Sequence, residues 1–280
     1  MVVEGDASAL DARPWPAQAQ ASLYGICIGI RVADPAHLAA LAAHLPHGAV
    51  AAPTLPVDRL YSALRLQRGG DLPYHLFAGR QRIARRGDLE RLARAFAASA
   101  RLFVAARAHG RIFIHAGVVA AGDRAILIPG RTRSGKTTLV AELVRAGATY
   151  YSDEYAVLDE DGWVHPFAKP LSIRVAAGQP QDLVDVAALG GHAGTVPLRV
   201  GAVVSTRFVT GVRWQPEPLS AGHATLHLLD NAVAARRRFP EVCRALGAAL
   251  GGPVRAWHGV RGDAHHVARW LLDELATPGA

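Results

Sequence analysis

The segment Gly130-Arg131-Thr132-Arg133-Ser134-Gly135-Lys136-Thr137 constrains this 280-residue chain more than any other feature. It fits G-x-x-x-x-G-K-[ST] in full, entered by the apolar run AILIP and left by TLVAELVRAG. A strand that turns through glycines straight into a helix is a unit of α/β folds. The glycines let backbone N–H groups close around phosphate oxygens, and the helix N-terminus adds positive potential. Gly130, Arg131, Thr132, Arg133, Ser134, Gly135, Lys136, Thr137 and Thr138 are therefore the candidate phosphate cradle. In it Lys136 would reach the β- and γ-phosphates and the Thr137 hydroxyl would coordinate Mg²⁺. ATP and Mg²⁺ are the expected cofactors.

Composition sharpens the position of Lys136. The chain has 31 basic residues, of which only Lys136 and Lys169 are lysine. Nucleotide bias in the gene accounts for the arginine excess, and against such a background a retained lysine marks a place where a planar fork cannot replace a compact ammonium. The net charge of +8 therefore says little about a nucleic-acid partner. Arg236-Arg237-Arg238, the densest basic run, reads as a solvated helix end without aromatic interleaving, so no nucleic-acid binding is expected. Cys27 and Cys243 lie far apart and exclude a disulfide framework or a cysteine zinc site. His258, His265 and His266 have no carboxylate at helical ligand spacing. No apolar stretch is long enough to span a membrane, and the first twenty residues lack a signal pattern. A cytoplasmic protein with no membrane partner is the expectation.

Residues 1–20 read as a loose leader, 23–32 as one strand, and Asp34-Pro35 as the start of a short Ala/Leu helix. Strands are expected over 59–68 and 74–85, separated by Gly69-Gly70-Asp71, and a long amphipathic helix over 88–107 behind an Asp88 cap. A domain boundary near residue 100 separates an α+β N-terminal domain, 1–100, from a catalytic domain, 101–280. In the second domain, strands are expected over 111–120, 124–129, 150–158, 163–174, 203–212 and 254–260. Helices are expected over 138–146, 225–237, 240–250 and 264–275, with a loop over 177–200 carrying a short helix at 182–189.

Ser152-Asp153-Glu154 follows the glycine segment closely. Paired carboxylates so near a phosphate loop suit phosphoryl transfer, one accepting the proton of a hydroxyl and the other standing beside Mg²⁺. A solvated strand end is the alternative. His115, on the strand before the loop, is either a polar group of the site or an ordinary core histidine.

Together, IHAGVVAAGDRAILIPGRTRSGKTTLVAELVRAGATYYSDEYAVLD resembles the catalytic core of HPr kinase/phosphorylase and its relatives. It is also similar to ATP-dependent phosphoenolpyruvate carboxykinase, in which His, a GD turn, the phosphate loop, an acidic pair and an aromatic-Ala-Lys recur. Phe167-Ala168-Lys169 stands in the last position. The resemblance covers about residues 108–175. It implies an α/β P-loop kinase core of the HPr kinase/phosphoenolpyruvate carboxykinase type beside a smaller α+β domain. It further implies Asp153 as acid/base, Glu154 and Thr137 with Asp153 on the metal side, His115 at the transfer site, and Lys169 on the γ-phosphate opposite Lys136. The chain departs from the family in two places. Glu154 replaces the second Asp of the pair, and Ser172-Ile173-Arg174-Val175 stands where true HPr kinases carry Glu-Ile-Arg-Gly. HPr is accordingly not the expected acceptor, and the match points instead to the HPr-kinase-related group beside peptide-modification genes, such as lasso-peptide kinases acting on a C-terminal serine.

The expectation is a Mg²⁺-ATP kinase acting on a hydroxyl, with a serine of a peptide or small protein as acceptor and help from an arginine of the 174–213 region. A small-molecule kinase of a biosynthetic pathway and a non-catalytic nucleotide-dependent regulator are the alternatives. Self-association into a homo-oligomer stays open.

Overall fold

The structure, a computed structural model, describes residues 8–66, 72–131, 134–174 and 181–277. The chain forms two compact units, Met1–His109 and Gly110–Ala280. The division falls after the long helix rather than near residue 100, because that helix runs unbroken to Arg107. Among the described residues no helix is long and apolar enough to cross a membrane.

The first unit begins with α1 (Ser8–Asp11), β1 (Ala17–Leu23) and β2 (Ile26–Val32). The stretch expected as a leader thus already holds a paired strand, Ala17 facing Val32 across an antiparallel ladder. The single strand expected over 23–32 breaks at Tyr24-Gly25, both at positive φ (50° and 74°), the combination a two-residue hairpin turn requires. Then follow α2 (Leu38–Ala42), β3 (Val50–Ala51), β4 (Arg59–Arg65), β5 (Tyr74–Ala78), β6 (Gln81–Arg86) and α3 (Leu89–Arg107). Gly69-Gly70-Asp71, expected to separate β4 from β5, lie outside the described residues. The six strands form one sheet in the order β3-β1-β2-β4-β5-β6. Asp88 caps α3 by accepting from Arg91 N at 2.7 Å, and the helix buries Leu92, Phe96, Ala100 and Val104. Phe96 meets Tyr61 of β4 edge-on at 5.0 Å, which seats the helix on the sheet.

The second unit contains β7 (Ile112–Ala121), β8 (Arg124–Pro129), α4 (Lys136–Arg145), β9 (Thr149–Ser152), β10 (Tyr155–Leu158), β11 (Val164–His165), β12 (Leu171–Arg174), β13 (Gln181–Val184), β14 (Arg199–Phe208), β15 (Glu217–Pro218), α5 (Ala221–Leu229), α6 (Phe239–Leu250), β16 (Arg255–Arg261) and α7 (Ala264–Ala276). Three expectations are corrected here. Residues 182–184 continue a strand paired with β12, and only a 3-10 turn, Val186–Leu189, follows behind an Asp185 cap. The helix expected over 225–237 is α5, which starts and stops earlier, at Ala221 and Leu229. Ser220 caps its start, and residues 230–238 turn rather than coil. The strand expected over 150–158 is two strands, parted at Asp153-Glu154.

An eight-stranded sheet runs β11-β10-β7-β8-β14-β16-β15, with β9 also pairing with β7. Its two faces separate cleanly by alternation. Ala125 and Leu127 of β8 join Leu228 of α5 and Val242 and Leu246 of α6 in one core. Ile126 and Ile128 join Leu139 and Leu143 of α4 and Val267 and Leu271 of α7 in the other. This is a mixed α/β unit of helices on both sides of a sheet. Gly117 permits the close approach of α4 to β7, since a Cβ there would stand 2.6 Å from Val140 Cγ2. β8, β14 and β16 run parallel, so their C-terminal ends at Pro129, Phe208 and Arg261 share one edge of the sheet. In sheets of this kind ligands bind beyond the carboxyl ends of the strands.

Candidate active site

The turn from β8 to α4 passes through Gly135, the N-cap of the helix, at φ 85°. A side chain there is doubly excluded, by the backbone angle and by Arg261 Nη2, which a Cβ would meet at 2.5 Å. Among the described residues no side chain caps α4, which leaves its first N–H groups to an external acceptor. Ser134 Oγ is buried with no hydrogen-bond partner among the described residues, and it lies where a Cβ on Gly130 would fall. An orphaned hydroxyl beside uncapped amides is what a ligand with several acceptor oxygens would satisfy. Thr132 and Arg133 of the expected cradle lie outside the described residues.

Lys136 turns back over this loop. Its Nζ donates to the carbonyls of Gly130 and of Arg131, the latter at 2.9 Å, and the residue is buried. Burial lowers its pKa to about 8, although the charges of Asp153 and Glu154 pull in the other direction. An ammonium held so reluctantly gains from any anion that enters the loop.

Asp153 is the hub of the site. The break between β9 and β10 turns its side chain inward, leaving it 2% exposed. Oδ2 accepts from Thr137 Oγ1 at 3.1 Å and from the Ser172 backbone N–H at 3.2 Å. Oδ1 accepts from Lys169 Nζ at 2.7 Å and lies 3.3 Å from the Tyr150 hydroxyl. Tyr150 sits closer, at 2.8 Å, to the Lys169 carbonyl. Burial, and then the charge of Asp153, raise the Tyr150 pKa, so the phenol stays protonated. Lys169 Nζ also lies 3.7 Å from Glu154 Oε2. Thr137 Oγ1 beside a carboxylate is a hard-oxygen pair that suits Mg²⁺, which keeps most of its waters and takes few protein ligands. Among the described residues no three His, Cys, Asp or Glu side chains gather as a metal-binding group.

His115 of β7 stands opposite Tyr155 across the ladder. Its Nδ1 donates to the Glu154 carbonyl at 2.9 Å. Burial first, and then the charge of Lys136, lower its pKa, so the ring is neutral. The expected residues His115, Lys136, Thr137, Asp153, Glu154 and Lys169 thus converge in the second unit.

Two members of the cluster were not singled out in the sequence. Tyr150 looked like one more strand residue. Arg261, at the far end of the chain, donates to Gly135 O at 2.8 Å, Gly262 O at 3.1 Å and Thr206 Oγ1 at 3.3 Å. It is 1% exposed and forms no ion pair among the described residues. It comes from outside the 174–213 stretch, and only the parallel pairing of β14 with β16 brings it to the loop. The C-terminal histidines do meet carboxylates, from other elements: His258 Nε2 lies 3.1 Å from Glu217, and His265 Nδ1 lies 3.5 Å from Glu142.

No family model and no curated protein matches the chain. Among solved structures, it is similar to the Hpr(Ser) kinase/phosphatase from Coxiella burnetii at 11% identity. That match covers 59% of this chain and 93% of the other, with a TM-score of 0.28.

Proposed function

We propose that the chain is a Mg²⁺-ATP-dependent kinase with a P-loop core of the HPr kinase type, passing the γ-phosphoryl group to a hydroxyl. A serine of a peptide or small protein is the acceptor that the sequence resemblance implies. The observation that carries this reading is the convergence of Thr137 and Lys169 on Asp153, at 3.1 and 2.7 Å, beside the loop that Lys136 closes.

Lys136 exchanges its bonds to the loop carbonyls for bonds to β- and γ-phosphate oxygens, while the uncapped N–H groups of α4 and the Ser134 hydroxyl donate to the same chain of phosphates. Thr137 and Asp153, with Glu154 as a further carboxylate, would hold Mg²⁺, which when bound would supply charge neutralisation. Asp153 already accepts from Thr137, Ser172 and Lys169. It becomes a base only when Lys169 moves from Oδ1 onto the γ-phosphoryl group. Oδ1 then takes the proton of the acceptor hydroxyl as the acceptor oxygen bonds to phosphorus. The bond to the β,γ-bridging oxygen breaks, and its electron pair leaves with ADP. His115 is a neutral polar neighbour that adds no charge to the site.

The test incubates the full chain with Mg²⁺ and ATP labelled in the γ-phosphorus, in the presence of serine, threonine and tyrosine peptides and simple polyols. The expected result is label on a serine peptide with the wild type and none with Lys136→Ala. Label appearing only as free phosphate, or equally with both proteins, overturns the proposal.

A further inference from the structure

Beside Gly135 a cleft of about 310 Å³ opens, lined by Gly135, Thr138, Phe208, Arg261 and Asp263 among others. We infer that this cleft takes the nucleoside end of the bound nucleotide, with the base against Phe208, a ribose hydroxyl on Asp263, and Arg261 facing the phosphate nearest the sugar. This rests on the reading of the glycine loop as a nucleotide site and says which way the nucleotide lies.

Four observations converge on it. The cleft continues from the loop along the shared edge of the parallel strands, at the ends of β14 and β16, and its volume is at the small end of ligand pockets, roughly 300–1,000 Å³. Phe208 is 53% exposed although its Cβ lies 3.8 Å from the Cβ position of Gly135. The Arg261 guanidinium lies over this ring, 5.6 Å from its centroid, and the rest of the exposed ring is a stacking platform for a flat partner, since every base has a face to offer it. Arg261 is a buried cation that feels the charge of Asp263 in the same cleft without a direct ion pair among the described residues. Three bonds to neutral oxygens hold its guanidinium toward Gly135, and two of its five N–H groups remain. A buried charge with no direct ion pair is costly, and a phosphate at the Gly135 side lowers that cost further than Asp263 alone does. Asp263 caps α7 through Oδ1, which accepts from His265 N at 2.9 Å, while its second oxygen makes no hydrogen bond among the described residues and can accept from a sugar hydroxyl.

The test separates the base from the phosphates. Calorimetric titrations of the full chain use Mg²⁺-ATP and, separately, Mg²⁺-tripolyphosphate, which has the phosphates and no nucleoside. Phe208→Ala is expected to weaken ATP roughly fivefold to a hundredfold, the range for loss of one base-stacking ring, and to leave tripolyphosphate binding unchanged. Phe208→Trp is expected to keep ATP affinity, which separates loss of a ring from local unfolding. Lys136→Ala is expected to weaken both ligands. If Phe208→Ala leaves ATP unchanged, or weakens both ligands alike, while Lys136→Ala weakens both, the nucleoside assignment is wrong and the nucleotide site stands. If the wild type binds neither ligand, the proposed function itself is wrong and the cleft assignment goes with it.

Discussion

Replacing Lys169 by Met removes an ammonium and keeps a side chain of similar length. In the folded chain Nζ lies 2.7 Å from Asp153 Oδ1, and the two side chains are 15% and 2% exposed. Breaking a buried ion pair from one side costs about 3–5 kcal/mol because the other charge stays buried. Asp153 keeps Thr137 Oγ1 and Ser172 N as donors, with Tyr150 alongside, so the low end, about 3 kcal/mol, applies. For a unit of this size that corresponds to a melting temperature lower by roughly 6–12 °C. Four of the five tryptophans lie in the second unit, so tryptophan fluorescence during thermal unfolding reports on it. Adding Asp153→Asn to Lys169→Met removes the stranded charge, and the double variant is expected to be more stable than Lys169→Met alone, a coupling of about 0.5–3 kcal/mol. Lys169→Met within about 0.5 kcal/mol of wild type, the behaviour of a surface position, refutes the reasoning.

Two further predictions concern the same region. The Lys136 pKa is lowered from 10.5 to about 8, so above pH 8 the unfolded chain binds more protons and stability rises with pH. Between pH 8 and 9.5, below tyrosine ionisation, denaturant titrations should show a gain of about 1.5 kcal/mol in the wild type, and that gain should be absent in Lys136→Met. At Gly117, Ala places a Cβ 2.6 Å from Val140 Cγ2 in a closed core. The expected cost is about 1–3 kcal/mol by urea unfolding, together with weaker nucleotide binding as α4 shifts; an unchanged midpoint contradicts the packing account.

The parts of the site legible in the sequence are those that local chemistry specifies. The glycine spacing, the helix behind it and the acidic pair just after it all lie within about twenty-five residues, and their side chains meet as that spacing suggests. Lys169 could be suspected because lysine is so rare in this chain. What was not legible depends on pairing between distant segments. Arg261 reaches Gly135 only because β16 lies parallel to β14, and no local pattern encodes that neighbour. The hairpin at Tyr24-Gly25 escaped notice because tyrosine at positive φ is uncommon, and the strands on either side read as one apolar run. Residues 182–189 looked helical from composition, yet the ladder to β12 overrides that preference over the first part.

The central claim is that Asp153 takes the proton of the acceptor hydroxyl once Lys169 has left it. It is tested most directly by the single-turnover rate of γ-phosphoryl transfer in Asp153→Asn, measured where Mg²⁺-ATP saturates both proteins. The account predicts a rate lower by about 10²- to 10⁴-fold than wild type, the usual contribution of a general base. Transfer at the wild-type rate by Asp153→Asn, with nucleotide bound, contradicts it.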